Sequence, residues 1–189
     1  EAAYVLELKQ MQAYLEQLNK NRTGFTVQKE AFDQNPIKSE VLEKSLNSVI
    51  ETIDQEIKQI EKRMELIIKT HHQEMFNQLK SIPGMGSKTS LLLIVISGGF
   101  SKFNNHKQLA SYVGISPRIF ESGTSVKGKS KICKMGMSKI RALLYMCAWS
   151  AKRCNETCKA LYDRLVEKGK SKKLSLIAVV NKLLKQALA

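Results

Sequence analysis

A serine followed by glycine, Ser122-Gly123, lies in a run of cations formed by Arg118, Lys127, Lys129, Lys131, Lys134, Lys139 and Arg141. A hydroxyl so placed can attack a phosphodiester if cations balance the charge on the phosphoryl oxygens and a base or metal accepts its proton. Arg118, Lys134 and Arg141 are the first candidates for the balancing charge. No base is evident: Glu121 adjoins the serine without having to point the same way, and His106 has no assigned place near it. A plainer role stays open, in which Ser122 is a turn residue whose hydroxyl satisfies nearby backbone. Several of the lysines need do no more than solvate a loop. Arg141, with Lys134 upstream, is the cation most expected to be fixed on a phosphate.

A second constellation lies upstream. Phe76, Leu79, Ile82-Pro83-Gly84-Met85-Gly86, Thr89 and Leu92 place apolar residues in helical phase on both sides of a Pro-Gly-apolar-Gly turn. The pattern reads as a helix-hairpin-helix. Gly84 and Gly86 permit backbone conformations and close approaches that a Cβ hinders. The turn would aim amide groups at the start of the next helix, where a phosphate is favoured, and Lys88 adds charge at that end. Such turns also serve as plain packing corners.

The charge distribution sets the context for both constellations. The 189 residues carry a net charge of +14. Residues 1–80 hold 11 Lys and Arg against 13 Asp and Glu, whereas residues 81–189 hold 20 against 4. A one-sided excess of this size suits a surface facing a polyanion, most often nucleic acid. A surface built only for solubility would mix both signs. No apolar run reaches the ~18 residues of a membrane span, and no signal peptide is evident, so a cytoplasmic protein with no membrane partner is expected. Cys133, Cys147, Cys154 and Cys158 form no CxxC pair, and the last three are spaced to share one helix face. They are expected to be small, reduced core residues, with no metal or cofactor held by this chain. The chain opens Glu1-Ala2-Ala3 without an initiator Met, as expected of a piece of a longer protein.

Periodicity predicts an all-α chain: a long helical hairpin or coiled coil over 1–80, then a compact, basic helical domain over 81–189. Val5, Leu8, Met11, Leu15 and Leu18 recur at helical spacing, and weak helicity extends past Gly24 toward Phe32. Asn35-Pro36 breaks it. A second helix begins near Ser39, with Leu42, Leu46, Val49, Ile53, Ile57, Ile60, Met64 and Ile67 as a heptad-like seam. A seam so long and narrow predicts pairing with its partner helix, another protomer, or both, and hence a homo-oligomer. Further helices are expected over 105–112, Ser138 to Asp163 and Lys173 to Ala187. Residues 116–136 read as a loop with a small hairpin around Ser122-Gly123, and nothing demands a sheet.

The second half resembles the C-terminal domain of insertion-sequence transposases of the IS110 family, also named after its IS116 and IS902 members. The residues that carry the resemblance are Ile82-Pro83-Gly84-Met85-Gly86, Phe103, Leu109-Ala110-Ser111-Tyr112-Val113-Gly114, Pro117-Arg118, Ser122-Gly123, Lys134-x-Gly136, Arg141-x-x-Leu144 and the 172–184 segment. Glu121 stands where the family residue is often small or polar, and Met137 replaces the usual Asn or Asp after Gly136. The resemblance implies a recombinase built in parts. A RuvC-like domain, absent from this chain, would bind magnesium through acidic residues, and a coiled coil and this serine-bearing domain would follow. Its implied partners are DNA and an RNA made by the element.

The family serine maps onto Ser122. The expected nucleic-acid contacts are Gly84, Gly86, Lys88, Arg118, Gly123, Lys127, Lys129, Lys131, Lys134 and Arg141, and the fragment alone is expected to be inactive. Two readings compete with this one. A non-catalytic helix-hairpin-helix module with a coiled-coil arm would hold DNA or RNA without cutting it, and a plain scaffold would use its basic half for solubility.

Overall fold

A computed structural model describes residues 2–118, 121–122, 126–127, 131–133, 135 and 137–189. Arg118, Glu121, Ser122, Val126, Lys127 and Lys131 enter through their backbone pairing alone. The chain divides into two units, Glu1–His71 and His72–Ala189.

The first unit is a helical hairpin made from α1 (Ala3–Asp33) and the first part of α2 (Glu40–Ser81). Three side-chain rungs fix its antiparallel sense: Glu7 with Arg63 at 3.5 Å, Arg22 with Asp54, and Lys29 with Asn47 at 2.6 Å. Along the same hairpin Val5, Leu8, Leu15 and Leu18 of α1 and Leu46, Ile53, Ile57 and Met64 of α2 are all buried. This is the narrow seam the periodicity predicts, with one difference. Leu42 and Val49 belong to the same stripe near the hairpin tip, yet both stay exposed. Gly24 does not interrupt α1, because a single glycine inside a packed helix costs only about 1 kcal/mol. The chain turns after Asp33, ahead of Pro36.

At His72 the backbone leaves helical geometry (φ −141°, ψ 35°), and the second unit begins there. Its first complete helix is α3 (Ser87–Ser97), whose apolar run Leu92 to Ile96 is wholly buried. A helix that is apolar on all sides must be surrounded. Phe76 and Leu79, from the last turns of α2, are also buried. There follow α4 (His106–Val113), α5 (Ser138–Cys154), α6 (Glu156–Glu167) and α7 (Lys172–Ala187). Helix α5 packs on α3, α6 and α7, while α4 packs on α5 and α7. Asn105 starts α4 by accepting a hydrogen bond from the Gln108 amide at 3.0 Å, and Gly114 ends it in the left-handed region at φ +83°.

One expected helix is two. The reading of Ser138 to Asp163 as a single element fails at Asn155, where the backbone turns extended (φ −118°, ψ 107°). The buried Asn155 carboxamide accepts from the Cys158 amide at 3.2 Å and caps α6, the role in which asparagine outcompetes helix continuation. Its Nδ2 donates to Gln186 of α7 at 3.2 Å and to the Pro83 carbonyl at 3.4 Å. The break therefore ties three elements together. It also removes the shared cysteine face: Cys147 is buried on α5, Cys154 is exposed at its end, and Cys158 is buried on α6.

Between α4 and α5 the backbone pairs as β1 (Pro117–Arg118) with β4 (Lys131–Ile132) and β2 (Glu121–Ser122) with β3 (Val126–Lys127), both antiparallel. These four strands of two residues each are the extended structure among the described residues, and the fold is otherwise helical. Among the described residues, no helix is long and apolar enough to cross a membrane.

Candidate nucleic-acid interface

The turn between α2 and α3 is built by its residue types. Met85 N donates to the Ile82 carbonyl at 2.9 Å, with Pro83 and Gly84 at the two central positions. Gly84 has φ +98°, so this is a type II turn, which wants proline first and glycine second. Gly84 also faces α5. A Cβ built on it would lie 2.6 Å from the Cβ of Ala151 and 2.7 Å from that residue's backbone. Gly84, expected among the nucleic-acid contacts, is thus held against a helix.

Gly86 is different. It is the N-cap of α3 at φ −91°, is exposed, and has no atom within 4 Å of where a Cβ would lie. It brings no side-chain oxygen to the first-turn amides. Ser87 and Lys88 beside it are exposed too. The positive end of the α3 dipole therefore opens onto the surface through Gly86, Ser87 and Lys88.

The antiparallel arm gathers four of the predicted residues. Pro117 lies opposite Ile132, Arg118 opposite Lys131, Glu121 opposite Lys127, and Ser122 opposite Val126. The pairing continues at the root, where Cys133 N donates to the Ser116 carbonyl at 2.9 Å. Gly123, Lys129 and Lys134 lie outside the described residues.

Arg141 sits at the base of this arm with a task in the fold. Its Nη1 donates to the Val113 carbonyl at 3.1 Å, at the negative end of α4. A Cβ on Gly114 would collide with the Met135 carbonyl oxygen and come within 3.0 Å of Arg141 Nη1. The arginine expected on a phosphate thus spends one donor on the junction from which the arm springs.

Burial raises the Cys158 thiol above its ordinary pKa, which keeps it protonated and inert at neutral pH. Among the described residues, no three His, Cys, Asp or Glu side chains cluster as metal ligands would. Asn155 escaped the sequence reading, although an asparagine amid helical periodicity is a cap signal. Also missed was the Lys152 ammonium, 3.6 Å from the Trp149 ring centroid and 5.0 Å from that of Tyr162, which staples α5 to α6.

Taken together, the second unit is a basic, mainly helical domain with an exposed helix N-terminus and a short antiparallel arm. Residues 77–163 match the family described as Transposase IS116/IS110/IS902. Over 107 residues, 56% of this chain, it is 38% identical to the pilin gene-inverting proteins of Moraxella lacunata and Moraxella bovis, covering 33% of each. Over 133 residues, 70% of this chain, it is 26% identical to an uncharacterized 43.6 kDa protein of insertion element IS110 from Streptomyces coelicolor, covering 32% of it. The chain spans about a third of the length of the curated relatives it matches.

Proposed function

We propose that this chain is the nucleic-acid-binding and nucleophile-bearing part of a DNA transposase or recombinase. The observation that carries this reading is the family match over residues 77–163, which encloses the Ser122 arm. The charge of the second half supports it, as do relatives whose printed names speak of gene inversion and of an insertion element. Phosphate contacts fall to the α3 N-terminus at Gly86 and Lys88 and to the cations of the arm. As a helix-hairpin-helix, the Gly84 turn presents that N-terminus while Gly84 itself packs on α5.

In the reaction, the Ser122 Oγ forms a bond to phosphorus as one phosphorus–oxygen bond to deoxyribose breaks. The released sugar hydroxyl takes up a proton, and Arg118, Lys127, Lys131 and Lys134 offset charge on the phosphoryl oxygens. Activation of the hydroxyl would come from magnesium bound by acidic residues of the RuvC-like domain that the resemblance implies. The α1–α2 hairpin pairs protomers as a coiled coil, and an element-encoded RNA is a second nucleic-acid partner. Residues 1–189 alone are inactive on this reading.

The test uses the full-length protein. Ser122→Ala should lower strand exchange by at least about a thousandfold while DNA affinity stays within a few-fold. Retained exchange would remove Ser122 from the chemistry and leave a binding module. DNA affinity should also fall by roughly three to five powers of ten between 50 and 200 mM salt if six to ten phosphates are contacted.

A further inference from the structure

At the root of the arm a surface cavity of about 240 Å³ is lined by Lys107 and Ala110 of α4, Ile115, Ser116 and Pro117 leading into β1, and Asn181 of α7. Its composition is that of a small recognition site, with an apolar lining and a few convergent polar groups. Ala110 and Ile115 are buried walls, and Pro117 offers an exposed apolar ring at the rim. The side chains of Lys107, Ser116 and Asn181 make no hydrogen bond or ion pair among the described residues. An amide, a hydroxyl and an ammonium thus line one cavity without a side-chain partner among the described residues.

Size narrows the ligand. The cavity has room for about eight water molecules at ~30 Å³ each. That suits one planar ring system and falls below the ~300 Å³ at which pockets for drug-sized ligands begin. The Asn181 carboxamide offers one donor edge and one acceptor edge side by side, the pattern that pairs with a nucleobase edge. Lys107 supplies a charge for the phosphate attached to such a base. Position supports the same ligand. Pro117 and Ser122 are five residues apart, so extended chain keeps them within about 18 Å.

We infer that this cavity captures a single unstacked nucleobase of the strand whose phosphodiester meets the Ser122 arm. The base lies between Pro117 and the Ala110–Ile115 wall, Asn181 and Ser116 bond its edge, and Lys107 holds its phosphate. The inference rests on the proposed nucleic-acid function and adds a base-reading element to it.

Saturation-transfer NMR of the 189-residue chain with the four deoxynucleoside 5′-monophosphates tests it, with deoxyribose 5-phosphate as competitor. Saturation should reach the base protons, and Asn181→Leu and Lys107→Met should each weaken binding by about five- to fiftyfold. Asn181→Asp, which removes the donor and keeps the shape, should change the order of preference among the four bases. Both parent side chains are exposed, so an unchanged melting temperature confirms that the variants are folded. Equal competition by deoxyribose 5-phosphate, no binding of any monophosphate, or unaltered binding by Asn181→Leu would each overturn the inference. Anisotropy with a labelled duplex keeps the two readings apart. Steep salt-dependent binding of the duplex with no effect at Asn181 sinks only the cavity, while no binding of duplex or single strand sinks the nucleic-acid function as well.

Discussion

Gly84 approaches Ala151 so closely that no side chain fits between the α2–α3 turn and α5: a Cβ on Gly84 would lie 2.6 Å from the Ala151 Cβ. The same glycine has φ +98°, where an L side chain is strained even in open space. Gly84→Ala therefore meets two penalties, strain of about 1–3 kcal/mol and overpacking of similar size. Urea unfolding should show a loss of about 2–5 kcal/mol, and a loss below 1 kcal/mol would mean that turn and helix separate easily.

Two residues on, the expectation reverses. Gly86 has ordinary backbone angles, open space where a Cβ would go, and no capping side chain on α3. Gly86→Asp supplies the missing acceptor for a first-turn amide and should raise stability by about 0.5–1 kcal/mol. It also puts a negative charge where the proposed phosphate sits. DNA affinity measured by anisotropy should fall by tenfold or more while the melting temperature rises. A rise in stability without loss of affinity would place the DNA elsewhere.

The difference between these two glycines shows how far the sequence could be read. Pro83-Gly84-x-Gly86 announces a turn, and periodicity announces the helices on either side. Which glycine meets a neighbouring helix depends on α5, about 65 residues further along, and no local pattern encodes that contact. The same limit explains Asn155. Its neighbours continue the helical phase, and the residue breaks the helix because Cys158, Gln186 and Pro83 all converge on its side chain. Ser122 and the basic loop could be picked out by residue type and resemblance. Lys107, Ser116 and Asn181 could not, because Asn181 lies about 65 residues beyond Ser116 and reaches the cavity through the packing of α4 on α7.

The helical hairpin offers a pH test. The Arg22 guanidinium donates to the Asp54 carboxylate, with Nη2 to Oδ2 at 3.1 Å, and this hydrogen bond holds the Asp54 pKa below its ordinary value while raising that of Arg22. A carboxylate with a depressed folded pKa stabilises the fold above its unfolded pKa of about 3.9, and loses that contribution as pH falls through the folded value. Both side chains are partly exposed, so the effect is small and sensitive to salt. Asp54→Asn should melt slightly lower than the parent chain at pH 7, and the two curves should converge near pH 2. A gap that persists in acid would show that the asparagine disturbs packing.

Arg141 invites a separation of two roles. Its hydrogen bond to the Val113 carbonyl anchors the end of α4 beside the arm, and loss of a charge-assisted bond at a half-buried site costs about 1–2 kcal/mol. Arg141→Ala should therefore lower stability by that amount whether or not DNA is present. Its effect on binding should be read from the salt dependence. If the remaining donors of Arg141 also meet a phosphate, the slope of log affinity against log salt drops by about one; if the residue only anchors α4, the slope is unchanged. Gly114→Ala gives the control, because it strains a position at φ +83° and drives a Cβ into the Met135 carbonyl without removing any charge. It should cost more stability than Arg141→Ala and leave the salt slope intact. A reduced slope in Gly114→Ala would show that the junction positions the cations of the whole arm, and Arg141 would then act on DNA through the fold.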